Sequence, residues 1–324
     1  MSYRLLVIRF SALGDVAMTI PALKQLAYQY PELQISMLSN SRYAALFDDM
    51  PDNIHFLGAE LKGRYKGLCG LNNLLKDINY QNFDAVADLH NVIRSRYIDF
   101  RLKLTCIPVV FISKNRLDQH RLTRFFHKQS KKLPTVFERQ QKVFYKLGFK
   151  INLKSLQSNN EQKSGIGIAP FAAHKGKIYP IEKMEEVIAA LSSGNETIYL
   201  FGAGTEENRI LQQWTEKYDN VVNTLGQYTL QEEMRLMSHL RIMLTMDSGN
   251  MHLASAVGTR VVSIWGATHP YAGFLGYNQD INDCIQQDLP CRPCSVYGNK
   301  KCRYGDYHCM TDIDTNEIIK KLQL

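Results

Sequence analysis

The chain of 324 residues contains no stretch near the ~18 consecutive apolar residues that a membrane-spanning helix needs. Its first apolar run is broken at Arg9, so a secretory signal peptide is not expected, and the cytoplasm is the expected compartment. No Gly-x-Gly-x-x-Gly follows the first strand-like run. Ser11-Ala-Leu-Gly-Asp15 stands there instead, which argues against a dinucleotide-dependent dehydrogenase. The only Asp-x-Asp, Asp312-Ile-Asp314, lies near the carboxyl terminus, a poor place for a metal-bridged diphosphate, so neither a metal nor another cofactor is expected. Acidic residues are scarce between 101 and 150. Two Asp or Glu there face 13 Lys or Arg, a net +11 in a chain whose total is +8, which leaves −3 for the remainder. This window, with Lys114, Arg116, Arg121, Arg124, Lys128, Lys131 and Lys132, reads as a solvated basic face or as an electrostatic landing surface for an acidic acceptor at a membrane. Phe125, Phe126, Phe137, Phe144 and Tyr145 are interspersed, but no nucleic-acid motif accompanies them, and nucleic acid is not expected as a partner.

What is present is a repeated strand, loop and helix rhythm. Strand-like runs at residues 3–8, 35–38, 54–57, 85–89 and 109–112 are followed by a polar linker at 153–164 and a second series at 165–169, 197–201, 221–223, 242–246 and 261–265. Two domains of roughly 150 residues fit the usual domain size. Two short segments each follow a strand-like run and open a helix-like run: Arg9-Phe-Ser-Ala-Leu-Gly-Asp15 and Asp247-Ser-Gly-Asn-Met-His252. Both belong at the carboxyl edges of parallel sheets, where α/β proteins bind ligands. After the first loop, Ile20, Leu23, Ala27 and Tyr30 recur at helical spacing, predicting one helix over 16–30. Gly14 permits a tight turn there. Asp15 reads as a carboxylate capping that helix or as a general base at the mouth of a cleft. In the second loop, a helix opening on Ser248-Gly249-Asn250 offers unpaired backbone N–H groups and a positive dipole end to an anion, and Gly249 lets a phosphate approach the backbone.

The chain resembles glycosyltransferase family 9, the lipopolysaccharide heptosyltransferases and their relatives. The resemblance rests on Arg-x-Ser-x-x-Gly-Asp from Arg9 to Asp15, Asp-Ser-Gly-x-x-His from Asp247 to His252, and Gly-x-Thr-x-Pro from Gly266 to Pro270, in the right order. It implies an α/β, GT-B type architecture of two Rossmann-like doubly wound domains facing a central cleft. Residues 1–155 would bind the acceptor, residues 156–311 the nucleotide-sugar, and a terminal helix at 312–324 would return toward the first domain. It implies Asp15 as the base that deprotonates an acceptor hydroxyl, with Arg9, Ser11 and Gly14 in the same loop. His90, Arg94 and Ser95 are implied acceptor contacts. Lys177, before the Tyr179-Pro180 pair, is implied at the leaving-group phosphates, with Lys175 nearby as a second cation. Glu206 is implied at the nucleotide ribose, whose two hydroxyls a carboxylate can accept. Asp247, Ser248, Gly249, Asn250, His252 and Thr268 complete the implied donor set. The expected reaction is inverting, metal-independent transfer of a sugar from a nucleotide diphosphate-sugar to an acidic glycolipid or glycan such as lipopolysaccharide core. An ADP-sugar is favoured, although Ala172 and Ala173 stand where ADP-heptose users often carry hydroxyls. The basic window would seat the protein peripherally on the inner membrane surface. A nonhydrolysing sugar-nucleotide epimerase and a noncatalytic sugar-nucleotide or polyanion-binding protein are the alternatives.

Five of the seven cysteines, Cys284, Cys291, Cys294, Cys302 and Cys309, lie near the end of the chain. Cys-x-x-Cys at 291 and 294 followed by Cys302 and Cys309 permits a structural zinc site. The later intervals are not those of paired zinc knuckles, however, and free thiols are the default reading in an intracellular setting.

Overall fold

Strands that are apolar on every residue, rather than on alternate ones, require cover on both faces, which a parallel sheet between helices provides. The computed structural model describes residues 2–124, 131–153 and 163–323. The chain divides into two units, Met1–Lys114 with Val136–Leu156, and Asn115–Thr135 with Gln157–Leu324.

In the first unit, β1 (Arg4–Ile8), β2 (Gln34–Asn40), β3 (Ile54–Ala59), β4 (Ala85–Asp88) and β5 (Val109–Phe111) form an all-parallel sheet in the order β3-β2-β1-β4-β5. Val7 of β1 stands between Met37 of β2 and Ala87 of β4, all three fully buried. The helices are α1 (Leu13–Ala17), α2 (Ile20–Gln29), α3 (Gly67–Asp77) and α4 (Ile93–Lys103), then α5 (Arg116–Leu122), which belongs to the second unit, and α6 (Val136–Lys146), which returns to the first. The single helix expected over 16–30 is therefore two. Pro21, at the start of α2, has no N–H to return to the previous turn, and Thr19 uses its hydroxyl on the Val16 carbonyl at 2.7 Å.

In the second unit, β6 (Ile166–Ala169), β7 (Ile198–Leu200), β8 (Val221–Asn223), β9 (Ile242–Met246), β10 (Arg260–Trp265) and β11 (Cys284–Gln286) run parallel in the order β11-β10-β9-β6-β7-β8. Helices α7 (Ile181–Ser192), α8 (Thr205–Lys217), α9 (Leu230–His239), α10 (Gly249–Ala256), α11 (His308–Thr311) and α12 (Thr315–Gln323) complete it. Three-residue β11 carried no sequence signal; it exists because it can pair with β10, Ile264 opposite Ile285.

Two boundaries differ from expectation. Residues 115–135 join the second unit, where Leu122 and Leu133 pack with Ala272 and Leu133 N–H donates to the Tyr271 carbonyl at 2.9 Å. Helix α12, expected to return toward the first domain, is held by the second. Its Ile318 and Leu322 are buried in that unit's core, it packs on α7, and Arg241 donates to the Leu322 carbonyl at 3.0 Å. Phe125, Phe126 and Lys128, and most of the polar linker, lie outside the described residues.

Each sheet has one point at which the chain order reverses, between β1 and β4 in the first and between β6 and β9 in the second. The loops leaving those strands part in opposite directions and open a crevice at the carboxyl edge. All the polar motifs of interest except Glu206 and Thr268 lie on these four loops or the helix turns they open into.

Candidate active site

At the first reversal point, the loop after β1 and the loop after β4 are joined by hydrogen bonds. Arg9 donates from Nη1 to the Leu89 carbonyl at 2.7 Å and pairs through Nη2 with Asp15 Oδ2 at 2.5 Å. Asp15 stands in the first turn of α1, and Oδ2 also accepts the Ala12 N–H at 3.2 Å. The capping and charge-paired roles thus fall on one carboxylate oxygen. Oδ1 has no protein partner among the described residues, and the side chain is 32% exposed, so its lone pairs are open. Gly14 is buried beside it and Ser11 is half-buried on the same loop.

His90 is buried, and its Nδ1 accepts the Phe10 N–H at 3.3 Å. Burial, followed by the charges of Arg9 and Lys114, lowers its pKa to about 3. The ring is therefore neutral, and with Nδ1 accepting, its proton is on Nε2. Asp88, which is not among the expected site residues, organises this loop. It is fully buried, its Oδ1 accepts the N–H groups of His90 at 2.7 Å and Asn91 at 2.9 Å, and its Oδ2 accepts the Ser95 hydroxyl at 2.8 Å. The available signal was a strand-end Asp followed by Asn and Ser, a side-chain-to-backbone turn pattern. Ser95, expected to face the acceptor, is instead fully buried and occupied by Asp88. Arg94 is exposed. Asp99 lies against Asp88 with only 2% exposure, and burial together with that carboxylate raises its pKa to about 8.

At the second reversal point, Lys177 Nζ, on the loop after β6, lies 3.0 Å from Asp247 Oδ2, on the loop after β9. The side chains are 15% and 7% exposed, a largely desolvated pair at the mouth of α10. Ser248 precedes α10 in extended backbone, but its hydroxyl does not cap the helix, so the N–H groups of the first turn, which includes Gly249 and Asn250, are without a side-chain cap from it. The hydroxyls of Ser248 and Thr268 are buried without a protein partner among the described residues. Desolvated hydroxyls of this kind cost about 1–3 kcal/mol each unless a bound group satisfies them. His252 is buried in α10. Lys175 is exposed, with its ammonium 5.2 Å from the centre of the Tyr307 ring. Glu206 is exposed in the first turn of α8, whereas its neighbour Glu207 is turned back onto the Ala203 N–H at 2.7 Å.

A residue the sequence did not single out, Arg292, ties the loop after β10 in place. It is buried and donates to the carbonyls of Gly266, Thr268 and Gln287. That loop is stitched to the Lys177 loop by the Ala267 N–H on the Gly176 carbonyl at 2.8 Å. Gly266 allows the contact, since a Cβ there would lie 2.5 Å from the Met310 sulfur and 2.6 Å from the Gly176 oxygen.

Residues 71–307 match the family model of glycosyltransferase family 9 (heptosyltransferase). The chain belongs to glycosyltransferase family 9. Lipooligosaccharide heptosyltransferase 2 of Campylobacter jejuni is 24% identical to it over 317 residues, 95% of this chain and 94% of that protein. Among solved structures, E. coli heptosyltransferase WaaC with ADP matches with a TM-score of 0.70 at 18% identity, covering 99% of both chains. The glycosyl transferase of family 9 from Veillonella parvula matches at 0.74 and 18% identity, covering 99% of this chain and 96% of that one. The fold is therefore that of GT-B heptosyltransferases, and the protein is a glycosyltransferase. Family membership disfavours both the epimerase and the noncatalytic alternatives.

Near the carboxyl terminus of this family 9 transferase, the two carboxylates of the Asp-x-Asp make local contacts. Asp312 pairs with His308 at 3.0 Å, and Asp314 accepts the Asn316 N–H at 3.0 Å at the start of α12. Cys291, Cys294, Cys302 and Cys309 line one cavity of about 310 Å³ with Arg292 and Tyr307. Burial lifts the Cys309 thiol to about 11, so it is protonated. Among the described residues, no group of three or more His, Cys, Asp or Glu is placed to hold a metal ion. The basic window is split: residues 101–114 and 136–150 belong to one unit and 115–135 to the other. Within it, Phe137 and Phe144 are buried, while Tyr145 is exposed.

Proposed function

We propose that this transferase moves a heptose, with inversion and without a metal, from ADP-heptose to the core of lipopolysaccharide or a related acidic glycolipid. The observation that carries the reading is the Lys177–Asp247 pair beside the open first turn of α10, with the Ser248 and Thr268 hydroxyls unsatisfied by protein. An ammonium, main-chain N–H groups and two hydroxyls are the fixed donors a departing diphosphate needs. Asp247 holds the lysine in position, Asn250 adds an amide, and His252 supports the turn from within. Exposed Glu206 would take the ribose hydroxyls. The heptosyltransferase names and the ADP carried by WaaC support the donor assignment.

On the other unit, Asp15 is the base. Its Oδ2 is held by Arg9 and the Ala12 N–H, while Oδ1 accepts the acceptor's proton as its oxygen attacks the anomeric carbon from the face opposite the diphosphate. Neutral His90 donates from Nε2 to an acceptor oxygen, and Arg94 meets its phosphate or carboxylate. No helix among the described residues is long and apolar enough to cross a membrane. The protein works in the cytoplasm, peripherally on the inner membrane surface that presents the acceptor, drawn there by the basic residues of 101–150.

A thermal-shift and calorimetric panel of ADP, UDP, GDP and ADP-heptose tests the donor assignment. Stabilisation rises with ligand occupancy, so ADP and ADP-heptose should raise Tm while the others leave it unchanged. Equal responses to all four would refute the base preference. Turnover in excess chelator tests metal independence, and loss of activity restored by Mn²⁺ would overturn it.

A further inference from the structure

Helix α4 buries one face in the first unit through Ser95, Ile98, Asp99 and Leu102. Its opposite face is also apolar. Ile93 is 93% exposed, Phe100 59% and Leu104, which ends the helix, 65%. Tyr97 lies between them, half-buried, its ring packed on the core and its hydroxyl donating to Asn72 at 2.9 Å, and the positions are spaced four, three and four residues apart, so Ile93, Phe100 and Leu104 form one exposed stripe. Arginines and a lysine border it on both sides, Arg94 and Arg101 along one edge, Arg96 and Lys103 along the other. Phe111, on edge strand β5, extends the apolar surface and is 40% exposed. Arg96 stacks 3.8 Å from its ring centre, and the Lys103 ammonium lies 5.8 Å away. The carboxylate of α4 itself, Asp99, is on the buried face, with its Oδ2 3.7 Å from Arg96 Nη1.

Single exposed apolar side chains are ordinary, but an aligned stripe of three with a fourth apolar side chain, Phe111, beside it is not. Cations along both margins of an apolar stripe are complementary to an anionic lipid surface, which satisfies both features at once. Apolar side chains enter the acyl boundary, and guanidinium and ammonium groups stay level with the phosphates. We infer that the outer face of α4, with Phe111, is the element through which this protein lies on an anionic phospholipid surface. The inference deepens the peripheral-membrane part of the proposed function and rests on it. It also changes the contact from charge alone to charge plus shallow insertion. The first turn of α4 follows directly on the His90 loop, so a helix lying in the headgroup plane brings the acceptor-side loop to the level at which a glycolipid's sugars emerge.

The test uses the full-length protein and sedimentation with vesicles of phosphatidylcholine, with and without phosphatidylglycerol. Wild type should bind the anionic vesicles and not the neutral ones. Phe100→Ser with Leu104→Ser, both exposed and not needed for folding, should weaken that binding at least ~tenfold, and residual binding should vanish in high salt. Arg96→Gln with Lys103→Gln should weaken it comparably at low salt. Lys131→Gln with Lys132→Gln distinguishes the two readings. If that pair abolishes vesicle binding while Phe100→Ser with Leu104→Ser leaves it intact, the α4 inference is wrong and the broader reading stands. If wild type binds neither vesicle, both fail. If the serine pair instead turns a concentration-dependent dimer into a monomer with lipid binding unchanged, the stripe serves a second copy, and the inference is overturned.

Discussion

Replacing Asp15 by Asn separates chemistry from structure more cleanly than any other change in this protein. The amide oxygen of Asn can still accept the Ala12 N–H, so the start of α1 keeps its cap, but an amide cannot take a proton from an alcohol. Arg9 loses its anion yet keeps its bond to the Leu89 carbonyl at 2.7 Å. The pair is 15% exposed at Arg9 and 32% at Asp15, and since the Asn oxygen still accepts from Ala12 and Arg9 keeps the Leu89 carbonyl, the loss is that of one net hydrogen bond, about 1 kcal/mol. That corresponds to a fall in Tm of roughly 2–4 °C. General-base help contributes about 10²–10⁴ in rate, or about 3–5 kcal/mol of barrier. The loss of turnover should therefore far exceed the loss of stability. The assay pairs kcat from nucleotide release with donor Kd by calorimetry. Asp15→Asn should lower kcat at least ~100-fold and leave donor affinity unchanged, because the proposed donor contacts all belong to the other unit. A kcat within a few-fold of wild type would remove Asp15 as the base, and donor binding lost in parallel with kcat would make its role structural.

Three further outcomes follow from the geometry. Lys177→Met leaves Asp247 a mostly buried carboxylate without its cation, so stability should fall by about 3 kcal/mol and donor affinity should drop with it. Adding Asp247→Asn should recover most of the stability, read by denaturant midpoint, but not the affinity. Asp99, raised to about 8 in the folded protein against about 4 when unfolded, retains a proton that the unfolded chain releases. Its contribution to stability is thus fully present below pH 4 and declines as pH rises toward 8. Asp99→Asn should flatten that decline in urea titrations across this range, and an unchanged slope would show that another group titrates. Gly266→Ala drives a methyl into the Met310 sulfur and the Gly176 carbonyl, and should cost about 1–3 kcal/mol while weakening donor binding. A crystal structure with both contacts undisturbed would refute the reasoning.

The strands and their ligand-bearing ends were legible because parallel strands buried on both faces leave uninterrupted apolar runs, and because Gly and polar residues must follow where a strand gives way to a helix. That local rule placed Arg9 to Asp15 and Asp247 to His252 at sheet edges without any coordinates. Sequence alone also determined the charge excess of residues 101–150, since charge is a sum over residues. How that charge is shared between the two units is not such a sum, and only the fold assigned 115–135 to the second. The same holds for partners distant in sequence. Nothing local to Asp88 or Asp99 indicates that they share one buried site, that His90 is neutral because burial and Arg9 act on it together, or that Arg292 gathers three carbonyls. The outer stripe of α4 was hidden for a related reason. Ile, Phe and Leu at helical spacing read as core until packing shows which face is already covered. Desolvation, charge coupling and exposure are properties of neighbours in space, and the folded structure alone determines them.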